Sequence, residues 1–174
     1  MQNQDKHLKL KEQYPLLFND DPMEPVVMFG IETGLGWDHI ISSVCKVLYS
    51  RYHSKKRQLE YALDRLKNDD IPDPEEIKDW QKHAEKLHAE VQEEIQKMPK
   101  IQQIKEKFGG LRIYCSENSD YVEAVISMAE EIADNTCEEC GNKGKLYELS
   151  WFKTLCPTHA KARYGDKLER LERK

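Results

Sequence analysis

Residues 101–115 read Ile101-Gln102-Gln103-Ile104-Lys105-Glu106-Lys107-Phe108-Gly109-Gly110-Leu111-Arg112-Ile113-Tyr114-Cys115. Apolar and polar residues alternate on both sides of a glycine pair, the pattern of two antiparallel strands joined by a tight turn. A two-residue turn at Gly109-Gly110 sets Phe108 opposite Leu111, Lys107 opposite Arg112, Glu106 opposite Ile113 and Lys105 opposite Tyr114. Period-two alternation then places Lys105, Lys107, Arg112 and Tyr114 on one face, and Ile104, Phe108, Leu111, Ile113 and Cys115 on the other. The apolar face has to cover a helix.

The cationic face needs an explanation, because a lysine directly opposite an arginine is unfavourable unless an anion offsets it. An internal carboxylate such as Glu32 or Asp38 would serve, and so would a bound phosphate. Cations flanking a glycine turn, beside a tyrosine able to stack on a base, suit a phosphorylated ligand. Lys105, Lys107, Gly109, Gly110, Arg112 and Tyr114 are therefore the candidate ligand-binding residues. The turn has neither the GxxxxGK[ST] nor the GxGxxG pattern, so no nucleotide-hydrolysing or dinucleotide fold is implied.

Upstream, residues 1–18 form a short amphipathic helix broken near Pro15, and Val26–Ile31 is a strand candidate. Gly34-Leu35-Gly36-Trp37 punctuates the chain before a helix over about 37–66. There Trp37, Ile40, Ile41, Val44, Leu48, Tyr52, Leu59, Leu63 and Leu66 mostly recur at three and four. Asn68 to Pro72 breaks it. Asp73 is a good N-cap, with Pro74 at the first helical position and Glu76 completing a capping-box pattern. The next helix carries Ile77, Trp80, Ala84, Leu87, Val91 and Ile95, near a heptad seam. A short turn between them makes an antiparallel helical hairpin over about 37–98. After the β-hairpin 101–115, a helix over 119–134 aligns Val122, Val125, Met128, Ala129 and Ile132 on one stripe.

The C-terminal spacing Cys137-x2-Cys140-x15-Cys156-x2-His159 reads as a four-ligand zinc site, since Zn²⁺ takes thiolate and imidazole donors in a tetrahedron. With Cys137, Cys140, Cys156 and His159 filling every position, the zinc is expected to be structural. Gly141 follows the first pair as in a zinc knuckle. Leu146–Leu149 and Trp151–Leu155 can form a hairpin, and Pro157 opens a helix bearing His159. Knuckle, hairpin and helix together resemble a treble clef over about residues 136–172. A zinc deaminase would use H-x-E with P-C-x-x-C. His88-Ala89-Glu90 supplies the first element, but Thr136 stands where the proline belongs and Cys156 and His159 complete the ligand set. Trp37 reads as core, packing beneath the hairpin, and Trp151 as a lid on the zinc hairpin. Cys45 and Cys115 read as lone buried thiols.

The 174 residues are 39% hydrophobic and 34% charged with net charge −5, against broad non-specific nucleic-acid binding by the whole chain. The stretch 153–174 holds seven Lys or Arg against three acids, a local +4, and leaves a nucleic-acid contact open there. No apolar run approaches a membrane span and the N-terminus lacks the apolar region of a secretory signal. CxxC spacing without such a signal points to a reducing cytoplasm.

GxGW followed by a helix, KEKFGGLRIY, CEECG and TLCPTH together resemble a family of small uncharacterised proteins found in phages and bacteria, over about residues 24–50 and 100–160. Residues 51–98 look like an insertion relative to it. The resemblance implies a phage context and hence the host cytoplasm. Small phage accessory proteins of this size counter host defence by sequestering a nucleotide signal or by binding a defence protein.

The expected fold is α+β: a small antiparallel sheet covered by helices, with a long helical hairpin and a treble-clef-like zinc module. Two domains are expected, 1–135 and 136–174. The expected function is that of a non-enzymatic protein binding an anionic small ligand, such as a nucleotide signal held by a sponge. Two alternatives stay open: an adaptor or inhibitor acting on a host protein through the helical hairpin, which could also build a homo-oligomer, and a nucleic-acid-binding zinc-finger protein.

Overall fold

A computed structural model describes residues 2–67, 73–117, 119–148, 151–165 and 167–168. The fold is α+β, and two compact units divide the chain: Met1–Lys46 with Pro99–Lys174, and Val47–Met98. The boundary expected at 135/136 falls inside the first unit, where the Cys/His module packs with the sheet. Among the described residues, no helix is long and apolar enough to cross a membrane.

In the first unit, α1 (Gln2–Gln13) is followed by α2 (Pro25–Phe29), β1 (Ile31–Glu32) and a 3-10 turn over Leu35–Trp37. Helix α3 (Asp38–Lys67) begins there and runs on into the second unit. The strand expected over Val26–Ile31 is mostly helical. Pro25 presets the first helical φ, and Gly30, at φ 73°, ends the helix where a side chain would collide with the Asn3 backbone. A six-residue run holding five apolar side chains has no periodicity that separates buried helix from buried strand. Only Ile31 and Glu32 extend, pairing in parallel with Ile104 and Lys105.

Strands β2 (Ile101–Lys107) and β3 (Gly110–Cys115) form the expected antiparallel pair and complete a sheet of order β1-β2-β3. The turn sits one residue earlier than expected, so every cross-strand partner shifts by two positions. Ile104 opposes Ile113, Lys105 opposes Arg112, Glu106 opposes Leu111 and Lys107 opposes Gly110, so the turn residues are Phe108 and Gly109. Both adopt left-handed backbone, at φ 54° and 80°, the geometry of a type I′ turn that matches strand twist. The strand faces survive this shift, because an offset of two residues preserves the period-two alternation. Phe108 does not survive it: it leaves the apolar face and lies 72% exposed at the tip.

Phe108 is the one positive-φ residue other than glycine among the described residues. Left-handed backbone costs a side-chain-bearing residue about 1–2 kcal/mol, while an aromatic pair such as Phe108 with Phe152 contributes about 0.5–1.5 kcal/mol. Phe108→Asn, which tolerates this backbone, is therefore expected to melt no lower than the parent. A clear loss of melting temperature would show that the ring is held for stability.

Helix α5 (Asp120–Asp134) begins at Ser119, whose hydroxyl accepts from the Val122 N–H at 3.3 Å. It buries Val122, Val125, Ile126, Ala129 and Ala133; Met128 and Ile132 of the expected stripe remain exposed. Ile31, Trp37, Ile41, Ile101, Ile104 and Leu111 are almost fully enclosed in this unit. Cys45 and Cys115 are held protonated by burial, their pKa values pushed up to about 12 and about 11. Both stay protonated at neutral pH, and Cys115 lies near enough to Cys45 to add to its shift, so the two are not lone thiols.

In the second unit α3 continues and α4 (Pro74–Gln96) returns antiparallel to it, with Lys55 2.5 Å from Glu90 and Arg65 4.0 Å from Glu76. Ala62, Ala84 and Leu87 form a buried cluster with Leu59, Leu66 and Trp80 packed on it. Asp73 caps α4 by accepting from the Glu75 N–H at 2.9 Å. The breaker 68–72 lies outside the described residues. His88 is exposed, and Glu90, the acid of the H-x-E triplet, is engaged by Lys55.

Candidate metal centre

The module begins where α5 ends. Gly141, at φ 77°, lets the chain fold back so that its N–H donates to the Cys137 carbonyl at 2.8 Å. Cys137 N–H in turn donates to Asn142 O at 2.7 Å, closing the knuckle. Strands β4 (Lys145–Glu148) and β5 (Phe152–Leu155) pair antiparallel, and Leu149 of the expected hairpin lies outside the described residues. Cys156 caps α6 (Pro157–Tyr164), with Pro157 at its first position and His159 in its first turn. Tyr147, Leu155, Ala160 and Tyr164 form a small core with Cys137 and Cys156. Helix α6 ends before Gly165, and residues 166 and 169–174 of the basic stretch lie outside the described residues.

Cys137, Cys140, Cys156 and His159 offer ligand atoms that all lie within 4.8 Å of one another. Cys140 Sγ is 3.8 Å from Cys156 Sγ, and His159 Nδ1 is 3.5 Å from Cys137 Sγ and 3.3 Å from Cys156 Sγ. A tetrahedral ion with zinc–sulfur and zinc–nitrogen bond lengths sets sulfurs about 3.8 Å apart and sulfur–nitrogen pairs about 3.6 Å apart. These three separations fit. The Cys156 thiol is drawn down to about 7, chiefly by the His159 backbone N–H directed at its sulfur. A thiolate there is within easy reach of neutral pH, which metal ligation requires.

What the sequence motifs do around this centre is to grip it. In the GLGW loop, Gly36 N–H donates to Glu138 O at 2.7 Å and Gly34 N–H to Glu138 Oε1 at 3.1 Å. Trp37, fully buried, donates its indole N–H to Thr136 O at 2.7 Å. Lys6 secures the loop's entry through Thr33 O, Gly34 O and Asp38, at 2.9, 3.3 and 2.8 Å. A Cβ on Gly36 would overlap the Cys137 carbonyl and crowd the amides of Cys140 and Gly141. Backbone cannot move aside as a side-chain tip can. Gly36→Ala is therefore expected to cost about 1–3 kcal/mol, read as a lower urea midpoint, with a matching rise in the rate of metal loss to a chelator.

The β2–β3 turn grips the module from a second direction. Thr154, buried on β5, donates from Oγ1 to Gly109 O at 2.7 Å, and a Cβ on Gly109 would meet Leu146 and Lys153. Lys153 bridges Glu106 Oε2 at 2.8 Å and Glu138 Oε2 at 2.6 Å. Its side chain and those of the two acids are only 12%, 11% and 5% exposed. Burial would raise the Glu106 carboxyl, but hydrogen bonds from Lys153 and from Gly109 N–H outweigh it and hold the pKa below the usual value. Burial would likewise lower Lys153, and the two carboxylates overcome that and raise it.

Of the six candidate ligand residues, Lys105, Lys107, Arg112 and Tyr114 share one face of the sheet. Gly109 and Gly110 are buried. The Gly109 amide is used by Glu106 at 2.7 Å, so it is not presented to an anion. Glu32 lies opposite Lys105 in the parallel ladder, as one of the two expected internal carboxylates, whereas Asp38 pairs with Lys6. A carboxylate that was not anticipated, Glu130 on α5, lies 3.5 Å from Arg112 and accepts from the Ile113 N–H at 3.2 Å. Lys105 stands over the Tyr114 ring at 5.4 Å and Lys107 over Phe108 at 5.6 Å. Trp151 is 64% exposed, more open than a lid on the hairpin, although its carbonyl accepts from Tyr164 Oη at 2.8 Å.

Glu138, Lys153, Thr154 and Glu106 were not legible as a set. Each sits among charged or polar neighbours at an ordinary spacing, and their convergence depends on the docking of β5 against the β2–β3 turn. No protein-family model, curated protein or solved structure matches the chain.

Proposed function

We propose that the chain is a non-enzymatic binding protein, stabilised by a structural zinc in a treble-clef-like module, that takes an anionic small ligand on the exposed end of its β2–β3 ribbon. The observation that carries the metal reading is the donor spacing. Three thiol sulfurs and one imidazole nitrogen lie within 4.8 Å of one another, three of the separations at 3.3–3.8 Å, so Cys137, Cys140, Cys156 and His159 would fill all four positions. An ion so enclosed supplies folding energy and leaves no coordination position for a substrate.

The ligand reading is supported by Lys105, Lys107, Arg112 and Tyr114 on one sheet face, with Glu130 offsetting part of that charge at Arg112. A phosphate-bearing ligand suits such a face. In the phage setting implied by the motifs, the ligand would be a nucleotide signal held out of circulation. Metal analysis combined with calorimetry against inorganic phosphate and a panel of linear and cyclic nucleotides tests the proposal. One zinc per chain and heat with at least one anion are expected. Absence of stoichiometric metal, or silence across the panel at high protein concentration, would remove the corresponding half.

A further inference from the structure

Glu106, Lys107, Phe108, Trp151 and Phe152 line a surface cleft of about 430 Å³ between the β2–β3 turn and the zinc hairpin. Its walls are aromatic. Phe108 and Trp151 are 72% and 64% exposed and Phe152 is 38% exposed, with the two phenyl rings 6.4 Å apart and edge-on. An exposed cluster of this kind marks a contact site more often than a structural need.

Backbone strain points the same way. Phe108 occupies a turn position where asparagine or glycine is favoured, and a bulky residue with positive φ is an outlier. The ring gained by that choice is not buried, so burial does not account for it. Strain held at an exposed side chain is found at ligand clamps and active sites. Charge then selects the ligand. The Lys107 ammonium stands over one face of the Phe108 ring, 5.6 Å from its centroid, leaving the other face for a base. The one acid of the cleft, Glu106, is already engaged by Lys153, the Gly109 N–H and the Trp151 side chain.

We infer that this cleft is a nucleotide site, in which a base stacks on Phe108 and Trp151 while its phosphate meets Lys107. Stacking on an open aromatic platform tolerates every base, so selectivity rests on the ring and the phosphate together. The inference rests on the anionic-ligand reading above and moves its centre from Arg112 and Tyr114 to the turn and the zinc hairpin.

Calorimetry of the full chain with nucleoside monophosphates, uncharged nucleosides, inorganic phosphate and short single-stranded oligonucleotides tests it. A monophosphate is expected to bind at least about tenfold more tightly than either its nucleoside or phosphate, and Phe108→Asn to weaken it about tenfold or more. Lys107→Glu should abolish the advantage of the phosphate. Equal thermal melting of both variants and the parent keeps the reading independent of folding. Retained affinity in Phe108→Asn together with loss in Lys105→Glu would overturn the cleft and leave the anionic-ligand reading standing. Silence with every anion would overturn both. Affinity that climbs with oligonucleotide length far beyond the monophosphate would overturn the cleft in favour of strand binding.

Discussion

Chelation of the metal from the Cys137–Cys140–Cys156–His159 centre is expected to unfold residues 136–165 and to loosen both loops that grip them. Structural zinc contributes on the order of 10–16 kcal/mol of apparent binding free energy in small modules, as much as the whole stability of an ordinary domain. The module's own core of Tyr147, Leu155, Ala160 and Tyr164 is too small to replace that. Its partners across the interface lose their bonds with it: the amides of Gly34 and Gly36, the Trp37 indole and the Gly109 carbonyl. Hydrogen exchange should therefore accelerate at Gly34, Gly36 and the Trp37 indole as well as through 137–164. Cys140→Ser should reproduce the pattern. Unchanged melting after either treatment would contradict a structural metal.

The second large effect is expected from Lys153→Met. Removing one partner from a buried ion cluster leaves the others uncompensated, at a cost of about 3–5 kcal/mol, and here two carboxylates are stranded. Replacing all three charges, with Glu106→Gln and Glu138→Gln added to Lys153→Met, should recover most of the loss. Glutamine carbonyls can still accept from Gly109 and Gly34, and no buried charge remains. A triple variant no more stable than the single would show that Lys153 acts by packing alone.

The pH dependence has a definite sign. Glu106 has a folded pKa below its unfolded value, so its contribution is complete above about pH 4.3 and is lost as pH falls through the depressed folded value. Lys153 is shifted up, so its contribution is complete below about pH 10.4 and is lost as pH rises through the raised folded value. Urea titrations should give a parent-to-variant difference that is flat across the neutral range and shrinks at both extremes.

Much of this molecule was legible in one dimension because the signals are local. The Cys137–Cys140–Cys156–His159 cluster announces itself by donor chemistry and spacing, since two thiols three positions apart can reach one ion from a single turn. The cap at Asp73 depends only on a side chain and the two residues after it. Long helices such as α3 and α4 repeat their apolar stripe often enough to be recognised.

Short elements were not so constrained. Val26–Ile31 fits either period because it holds only five apolar side chains around a glycine, and it is the seating of Gly30 against Asn3 that closes it as helix. The turn register slipped by one because three residues, Phe108-Gly109-Gly110, contain two overlapping places for a two-residue loop. Pairing Ile104 with Ile113 fills the core, while Gly109 is needed against β5, and those demands come from opposite sides of the turn. The roles of GLGW, Lys153, Glu106 and Glu138 lay further still from view. Gly34 and Glu138 are separated by 104 positions, and Lys153 and Glu106 by 47. Charge pairing across such distances leaves no periodic trace in a chain, because it arises only once two independently formed pieces are pressed together and water is driven from between them.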